Sequence, residues 1–278
     1  MSSTQQLKDL LQRYGLWANK GLGQNFLLSD GVFEKILAAA DLHSSDTVIE
    51  VGPGTGFLTE RLIERVKKVI AVEYDAGMVR LLRERFADTK NLEIIHSDIL
   101  KFWIQKSGVR SKRYKVVANI PYYITSPLIR LFLQSDCPPS LMVVLVQKEV
   151  AEKIVGRDDR SVLMLETQLF GKPTIVDTVP AGAFYPAPTV DSAILKIEPH
   201  AKPLASSAIL DTALRLIKFG YNQRRKKLTN ALETGLRLDM TVIRGLMTKA
   251  KIDLGCRAEE LEIGDWLMLA KALEALAT

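Results

Sequence analysis

Short apolar, β-branched segments alternate with segments of helical periodicity through the first two thirds of this chain. The apolar segments read as strands, most of them apolar on both faces: residues 47–51, 69–73, 92–96, 115–118 and 141–146. Three intervening segments space their apolar residues as a helix does: residues 57–66, 76–86 and 126–133. Buried strands separated by helices predict a doubly wound α/β domain around a parallel sheet. Residues 174–179 and 192–197 read as two further strands that could form an antiparallel hairpin at the sheet edge.

A Pro- and Ser-containing segment divides the chain near residue 200. Pro199 to Pro203, followed by Ala205 to Ser207, has the composition of a linker. Beyond it the strand pattern stops, and four amphipathic helices are predicted over residues 208–219, 224–233, 241–249 and 258–276. We therefore expect a catalytic α/β domain of residues 1–200 and a small helical domain of residues 206–278.

Composition narrows the class of protein. Of the 278 residues 47% are hydrophobic, as in ordinary globular proteins, and no apolar run approaches the length of a membrane span. The first residues have neither a secretory nor a transit character, so we expect a cytoplasmic protein without a membrane segment. Cys137 and Cys256 lack metal-ligand spacing. Two buried, reduced thiols and no metal site are the expectation.

Positive charge is concentrated in the last quarter of the chain. Residues 201–278 carry 13 Lys and Arg against 9 Asp and Glu, whereas residues 1–200 carry 25 against 23. Two clusters stand out: Lys218 with Arg224, Arg225, Lys226 and Lys227, and the smaller set Arg110, Lys112, Arg113 and Lys115. Such patches suit contact with a nucleic-acid backbone. For an isolated charge run, a solvated helix face is the favoured explanation.

A glycine-rich turn follows the first predicted strand. Gly52-Pro53-Gly54-Thr55-Gly56 lets the backbone turn sharply and approach a bound ligand. Its G-x-G-x-G spacing differs from the G-x-G-x-x-G of dinucleotide enzymes. Pro53 also removes a backbone donor that a pyrophosphate cradle would use. S-adenosylmethionine, which has no phosphate, fits this turn better than its competitor, NAD.

Acidic residues end the next two predicted strands. Glu73 lies where a carboxylate can accept hydrogen bonds from ribose hydroxyls. Asp98 ends the third strand, where it can meet an adenine amino group. Either acid alone would be explained equally well as a helix cap. The ordered occurrence of the glycine turn and both acids on successive strand ends predicts an adenosine-binding site.

The segment Asn119-Ile120-Pro121-Tyr122 follows the fourth strand, at the carboxyl edge where α/β domains bind ligands. An adenine amine is a poor nucleophile because its lone pair is delocalised into the ring. The Asn119 side-chain carbonyl and a main-chain carbonyl of the turn can accept both N–H bonds and favour a more tetrahedral nitrogen. Pro121 fixes the turn and Tyr122 can stack on the base. With the glycine turn, this segment predicts methylation of an adenine amine by positioning, without a strong general base.

A second aromatic candidate lies in the Pro-bracketed loop of residues 183–192. The prolines stiffen the loop, which would present Phe184 or Tyr185 at a defined place. Stacking from the side opposite Tyr122 would clamp a flipped base between two rings. A hydrophobic anchor for the loop is an equally good explanation of these residues.

These motifs together resemble the ribosomal RNA adenine dimethyltransferases of the KsgA/RsmA type, from about Lys20 to Asn230. The resemblance implies a Rossmann-like, class I S-adenosylmethionine-dependent methyltransferase sheet with a small all-α C-terminal domain. It implies that Gln24 and Asn25 line the methionine end of the cofactor, that Glu73 binds its ribose and that Asp98 binds its adenine. The expected cofactor-binding set is completed by Leu27, Gly52, Gly54, Gly56, Tyr74, Ile99 and Asn119.

The catalytic and RNA-binding residues are carried over in the same way. Asn119, Ile120, Pro121 and Tyr122 match the family's catalytic N-[LI]-P-Y turn, and Phe184 matches the aromatic that stacks on the target base. Residues 219–227 resemble the basic motif that opens the C-terminal domain. This match implies an RNA-binding role for Lys218, Arg224, Arg225, Lys226 and Lys227.

The implied function is N6,N6-dimethylation of two adjacent adenosines in the 3′-terminal hairpin of 16S rRNA, within the 30S subunit. A role in small-subunit biogenesis and a monomeric state are also expected. One departure concerns residues 156–160, where bacterial members have a longer Gly-rich segment. The shorter loop could alter RNA contact or cofactor access, or could be neutral.

Two other functions compete with this one. An erythromycin-resistance-type methylase shares the cofactor and amine motifs but modifies large-subunit rRNA; the basic motif and the loop of residues 183–192 favour the small-subunit enzyme. A binding protein, such as a ribosome-assembly factor or a mitochondrial transcription factor of related descent, could use the fold without catalysis. The intact glycine turn, Asn119 and Tyr122 favour an enzyme.

Overall fold

The computed structural model describes residues 3–102, 109–110, 113–156 and 160–277, except for the side chains of residues 20 and 277. The chain forms two compact units. The sheet unit contains the residues up to 151 together with 173–199, and the helical unit contains residues 152–172 and those from 200 onward. Residues 157–159 of the shortened loop and Lys112 of the smaller basic cluster lie outside the described residues.

A seven-stranded sheet in the order β4-β3-β2-β5-β6-β9-β7 forms the centre of the sheet unit. Strands β2 to β6 pair in parallel, and β9 runs antiparallel to β6. Their bounds are β2 Thr47–Val51, β3 Lys68–Glu73, β4 Leu92–His96, β5 Lys115–Asn119, β6 Leu141–Gln147, β7 Gly171–Val179 and β9 Ser192–Pro199. The predicted doubly wound α/β fold is thus confirmed, because the buried β-branched segments of the sequence form the parallel strands.

A small second sheet and the two helices before the first parallel strand were not predicted. Strand β1, Phe26–Leu27, pairs antiparallel with β8, Phe184–Tyr185. The helices α1, Ser3–Arg13, and α2, Asp30–Ala40, precede the first parallel strand. The other helices of this unit are α3 Phe57–Ile63, α4 Ala76–Arg85 and α5 Thr125–Leu133, and helix α6, Lys148–Val155, leads out of it.

The helical unit begins with a segment that the predicted boundary at residue 200 assigns to the other domain. Helix α7, Val162–Phe170, buries Leu165 and Leu169 in the same core cluster as Ala213 and Ile217. These contacts explain why the segment belongs to the helical unit. The remaining helices are α8 Ser207–Asn222, α9 Leu228–Leu236, α10 Met240–Lys249 and α11 Ile263–Ala277.

The basic run lies in a turn, and the prediction of a helix from Arg224 is wrong at its start. Helix α9 begins at Leu228, and Lys227 before it has the extended dihedral angles φ −58° and ψ 142°. The Leu228 N–H donates to the carbonyl of Cys256 at 2.8 Å. Apolar periodicity also begins only at Leu228, so the four cations before it have no core face to bury.

Two expectations from composition can be compared with the structure. Cys137 and Cys256 are both buried and unpaired, as predicted. Among the described residues, no helix has both the length and the apolar character needed to cross a membrane.

Candidate active site

The order of strands places a crevice between β2 and β5. From β2 the chain builds the sheet outward through β3 and β4, then returns to the other side of β2 with β5 and β6. Ligands of open α/β sheets bind beyond the carboxyl ends of strands at such a reversal. A cleft lies there, lined by residues 22–27, 52–55 and 119–123 together with Glu50, Glu73 and Tyr74.

The three glycines of the turn have two different roles. Gly52 and Gly54 line the cleft, and Gly54 has a φ of +57° and donates its N–H to Glu73 Oε2 at 3.0 Å. Gly56 is not among the described residues that line the cleft. A Cβ at Gly56 would lie 2.6 Å from the Phe86 ring and 2.9 Å from Leu82. Gly56 therefore allows the start of α3 to pack closely against Leu82 and Phe86. The sequence had instead suggested that this glycine contacts the ligand.

Glu73 is held rigidly at the end of β3. Besides Gly54, its carboxylate accepts the main-chain N–H groups of Tyr74 and Asp75, both at 2.8 Å. Burial raises the pKa of the Glu73 carboxyl, and the three backbone donors oppose that rise. The next residue, Tyr74, lines the cleft with 62% of its surface exposed. A fixed carboxylate beside an exposed aromatic ring is suited to bind a ribose and its base.

Glu50 is a site residue that sequence reasoning missed. It lies on β2, lines the cleft and is only 1% exposed. Its Oε2 has no hydrogen-bond partner among the described residues. Burial raises the pKa of the Glu50 carboxyl to about 8; the Thr59 hydroxyl opposes this rise, and the nearby Glu73 adds to it. Two signals were available: an acidic residue within an otherwise apolar strand, and its place at the start of residues 50–56, which resemble the family's cofactor turn.

The amide of Asn119 is oriented by the N-terminal segment. Its Nδ2 donates to the main-chain carbonyl of Asn25 at 3.0 Å. The amide of Asn25 donates to the Gly23 carbonyl at 3.3 Å. The amide of Gln24 accepts the Asn19 N–H at 2.9 Å and donates to Asp75 at 3.3 Å. Gln24, Asn25 and Asn119 thus line the same cleft, and their cofactor-binding roles stay predictions.

Consecutive tyrosines of the turn have contrasting environments. Tyr122 is partly buried, and its hydroxyl lies 2.7 Å from Ser192 Oγ on β9. Burial raises the pKa of the Tyr122 phenol, with the Ser192 bond acting in the opposite direction. Ser192 is fully buried, whereas Tyr123 is 66% exposed at the cleft. Neither Ser192 nor Tyr123 was predicted to belong to the site.

Besides Gly56, three predicted catalytic or cofactor-binding residues lie apart from the described lining of the cleft. Asp98 caps a short helical turn by accepting the Leu100 N–H at 3.0 Å, and Ile99 beside it is buried. Phe184 is 4% exposed and packs in the core cluster that contains Phe33. Leu27, which pairs with Phe184 across the small sheet, does line the cleft. The roles of Asp98, Ile99 and Phe184 stay predictions.

The predicted RNA-binding residues are exposed in the helical unit. Arg224 Nε donates to Glu259 Oε2 at 2.6 Å, and Lys218 Nζ lies 3.8 Å from Glu166 Oε1. Arg225, Lys226 and Lys227 extend along the exposed turn before α9. The cluster therefore contains two cations with carboxylate partners and three that project from a turn.

Solved RNA methyltransferases share this architecture. A dimethyladenosine transferase from Plasmodium falciparum has a TM-score of 0.74 and 29% identity, over 91% of this chain and 98% of its own. The 23S rRNA methyltransferase ErmE has a TM-score of 0.69 and 26% identity, over 90% and 100% of the two chains. The fold and the cleft at its strand reversal thus define a class I S-adenosylmethionine-dependent methyltransferase.

The chain belongs to the ribosomal RNA adenine dimethylase family, which it matches over residues 15–275. A relative from Dehalococcoides mccartyi, named ribosomal RNA small subunit methyltransferase A, is 48% identical over 266 residues, or 95% of this chain and 91% of the relative. The resemblance found in the motifs is thereby confirmed. The enzyme is an S-adenosylmethionine-dependent rRNA adenine dimethyltransferase.

Proposed function

We propose that this enzyme transfers methyl groups from S-adenosylmethionine to N6 of two adjacent adenosines in the 3′-terminal hairpin of 16S rRNA. The 30S subunit is the substrate particle, and the modification takes part in small-subunit biogenesis in the cytoplasm. The observation that carries the chemistry is the Asn119 amide, oriented by Asn25 in the cleft that also contains Glu73 and Gly54. The relative from Dehalococcoides mccartyi, by its name, supports the choice of the small subunit.

The acidic and hydrogen-bonding groups of the cleft complement the charged and polar groups of S-adenosylmethionine. Glu50 has a buried oxygen without a partner among the described residues, and burying an unpaired polar group is costly. A cofactor with an ammonium and a sulfonium group supplies the positive charge that would compensate this cost. Glu73 and Asp98 would bind the ribose and adenine, with Gly52, Tyr74 and Ile99 beside them, and Gln24, Asn25 and Leu27 would line the methionine end. When bound, the cofactor supplies an electrophilic methyl group.

The turn of residues 119–122 would activate the target amine by accepting its hydrogens. Since Asn119 Nδ2 is bound to the Asn25 carbonyl, Oδ1 is the amide atom left to accept an N–H of adenine. The Ile120 carbonyl accepts the second N–H, and Pro121 limits the flexibility of this turn. Two acceptors on one amine favour a tetrahedral nitrogen whose lone pair can attack. This contribution is one of positioning and electrostatics.

Tyr122 would hold the base in place by stacking. Its hydroxyl bond to Ser192 limits rotation of the ring. Because burial raises the pKa of Tyr122, the phenol stays protonated at neutral pH and does not act as a base. The proton released after transfer passes to solvent. Phe184 would stack from the other side only after its ring leaves the core, since it is buried in this structure.

We further propose that residues 206–278 form the RNA-binding domain of a monomeric enzyme. Lys218, Arg224, Arg225, Lys226 and Lys227 would contact phosphates there, which gives affinity without sequence information. The exposure of all five side chains supports this role. The carboxylate partners of Lys218 and Arg224 would have to be exchanged for phosphate.

The competing function is methylation of large-subunit rRNA, because ErmE shares the architecture. Identity favours the small subunit: 48% to the relative from Dehalococcoides mccartyi against 26% to ErmE. A purely structural role in ribosome assembly would leave the oriented amide of Asn119 unexplained. Catalysis and an assembly role are compatible in one protein.

Incorporation of labelled methyl groups tests the proposal. Undermethylated 30S and 50S subunits are incubated with the enzyme and labelled S-adenosylmethionine, and nucleosides are then analysed. Dimethyladenosine in the 30S subunit alone is expected, whereas label only in the 50S subunit would refute the choice of substrate.

Asn119→Ala is expected to bind the cofactor nearly as wild type and to lose most methyl transfer, because the amine loses an acceptor. Full activity of that variant would refute the mechanism.

A further inference from the structure

Tyr123 is an exposed aromatic residue with no role in the chemistry above. It is 66% exposed, although it directly follows the ring that would stack on the target base. Its side chain has no hydrogen-bond or ring partner among the described residues, in contrast to Tyr122, whose hydroxyl is bound to Ser192. Two adjacent tyrosines therefore present one fixed ring and one open ring at the same cleft.

The position of the Tyr123 ring is defined by its backbone and by one neighbour. Tyr123 lies in the short helical turn Tyr122–Ile124 and lines the cleft with Pro121. A Cβ at Gly23 would lie 3.6 Å from two atoms of the ring. Gly23 also has a φ of +63°, which favours glycine at this position. The ring is thus supported on the side of Gly23 and open to solvent elsewhere.

An RNA substrate brings more than its target base to this cleft. An enzyme that acts on a base moves it out of the stack, which also deprives the neighbouring base of a stacking partner. Exposed aromatic side chains provide stacking surfaces for unpaired bases, largely independent of sequence. The ring next in sequence to Tyr122 is well placed to offer such a surface.

We propose that Tyr123 forms a binding subsite for the base of the nucleotide adjacent to the one being methylated. This inference rests on the proposed function, because it takes an RNA methylated at adenine as the ligand. When two neighbouring adenosines are modified in turn, the base outside the catalytic pocket occupies the Tyr123 ring. The subsite thereby keeps the enzyme on the RNA between the two modifications.

The other exposed aromatic residues in the described part of the chain provide contrasts. Tyr74, 62% exposed, follows the acid Glu73 and belongs to the cofactor side of the cleft. Trp17, 76% exposed, is not among the described residues that line the cleft. Substituting Tyr74 should weaken cofactor binding, and substituting Trp17 should affect neither ligand. Of these three aromatic residues, only Tyr123 should affect RNA affinity when it is substituted.

The experiment combines protein variants with modified RNA. The variants are Tyr123→Ala, Tyr123→Leu, Tyr123→Phe, Tyr74→Ala and Trp17→Ala. Affinity is measured for S-adenosylmethionine and for 30S particles assembled with rRNA that is intact or abasic at either neighbour of the first methylated adenosine. Loss of base stacking is expected to lower the RNA affinity of Tyr123→Ala and Tyr123→Leu by about 5- to 150-fold. Tyr123→Phe retains the aromatic face and should bind as wild type.

The abasic RNA distinguishes stacking from a general loss of structure. With wild-type enzyme one abasic neighbour should weaken binding as much as Tyr123→Ala does, and combining the two changes should add little further loss. If the abasic RNA weakens the binding of Tyr123→Ala by the same factor as the binding of wild-type enzyme, the subsite is wrong. Weaker cofactor binding by Tyr123→Ala with unchanged RNA affinity would also overturn it. If wild-type enzyme methylates only 50S RNA, the proposed 30S substrate is wrong. The same comparison of Tyr123→Ala with abasic RNA, made on the 50S RNA, then still tests the role of Tyr123.

Discussion

Replacing Glu50 by Gln tests whether a buried carboxyl couples cofactor binding to a proton. Glu50 lines the cleft, is 1% exposed and has one oxygen without a partner among the described residues. Burial raises the pKa of this carboxyl to about 8. A positively charged ligand placed beside it would favour the ionised form and lower that pKa. Cofactor binding at neutral pH should therefore release the Glu50 proton.

The size of the effect follows from the pKa. At pH 7 a carboxyl with a pKa of about 8 is roughly nine-tenths protonated. Complete ionisation in the complex would release about 0.9 proton per cofactor bound at pH 7, and close to none at pH 9 or above. The apparent affinity contributed by Glu50 should rise about tenfold from pH 7 to pH 9. The Gln variant lacks the titrating group and should lose both effects.

Titration calorimetry in buffers of different ionisation enthalpy measures the number of protons released. The α-amino group of the cofactor also titrates, at about pH 8. The free cofactor is the same in both experiments, so the difference between wild type and Glu50→Gln measures Glu50 together with its effect on the amine in the complex. Equal proton release and parallel pH profiles for the two proteins would refute the electrostatic role assigned to Glu50.

Three further predictions concern other parts of the molecule. Ser192→Ala removes the hydrogen bond that holds the Tyr122 ring and should lower kcat by about 10- to 100-fold through misplacement of the base, with cofactor affinity unchanged. Tyr122→Phe should lower kcat by a similar factor. If stopped-flow assays show that the double variant multiplies the two losses, the two residues do not act through this bond. Gly56→Ala would place a Cβ at a residue with a φ of +85° and 2.6 Å from Phe86, and should lower the free energy of unfolding by about 2–4 kcal/mol. Urea denaturation measures this loss, with Gly182→Ala as the control, because a Cβ at Gly182 would meet no atom within 4 Å. Equal midpoints for the two variants would disprove the packing role. Alanine at Arg225, Lys226 and Lys227 should reduce the slope of log affinity for 30S subunits against log salt by about 0.7 to 0.9 for each phosphate that the variant no longer neutralises. Lys249→Ala, which removes an exposed cation on α10, should leave the slope unchanged, and equal slopes for the two variants from low to high salt would reject the basic-patch assignment.

Much of the sheet unit was predictable because its signals are local. The strands at residues 47–51 and 92–96 have the predicted bounds, and the others differ by a few residues at their ends. Helix α2 was missed although Phe33, Ile36, Leu37 and Ala40 have helical spacing and are all buried. The sequence contains that signal, but it precedes the strand–helix alternation on which the prediction was based.

The candidate site was predicted in part for the same reason. The glycine turn follows its strand directly, and Glu73 and Asn119 are the last residues of theirs. Parallel strands bring these carboxyl ends to one edge of the sheet. The role of Gly56 could not be inferred in this way, because its neighbours Leu82 and Phe86 come from α4 and the residue that ends it. The burial of Phe184 likewise depends on its pairing with Leu27, far away in the sequence.

By itself, the amino-acid sequence determined the α/β alternation, the helical end of the chain, the cofactor turn and the Asn-Ile-Pro-Tyr segment. Each of these depends on periodicity or turn chemistry within a few neighbouring residues. Only the tertiary structure decided that Ser192 holds Tyr122, that Glu50 is desolvated beside Glu73, and that residues 152–172 join the C-terminal helices. Desolvation and long-range hydrogen bonds arise from groups distant in sequence, so they exist only once the chain has folded.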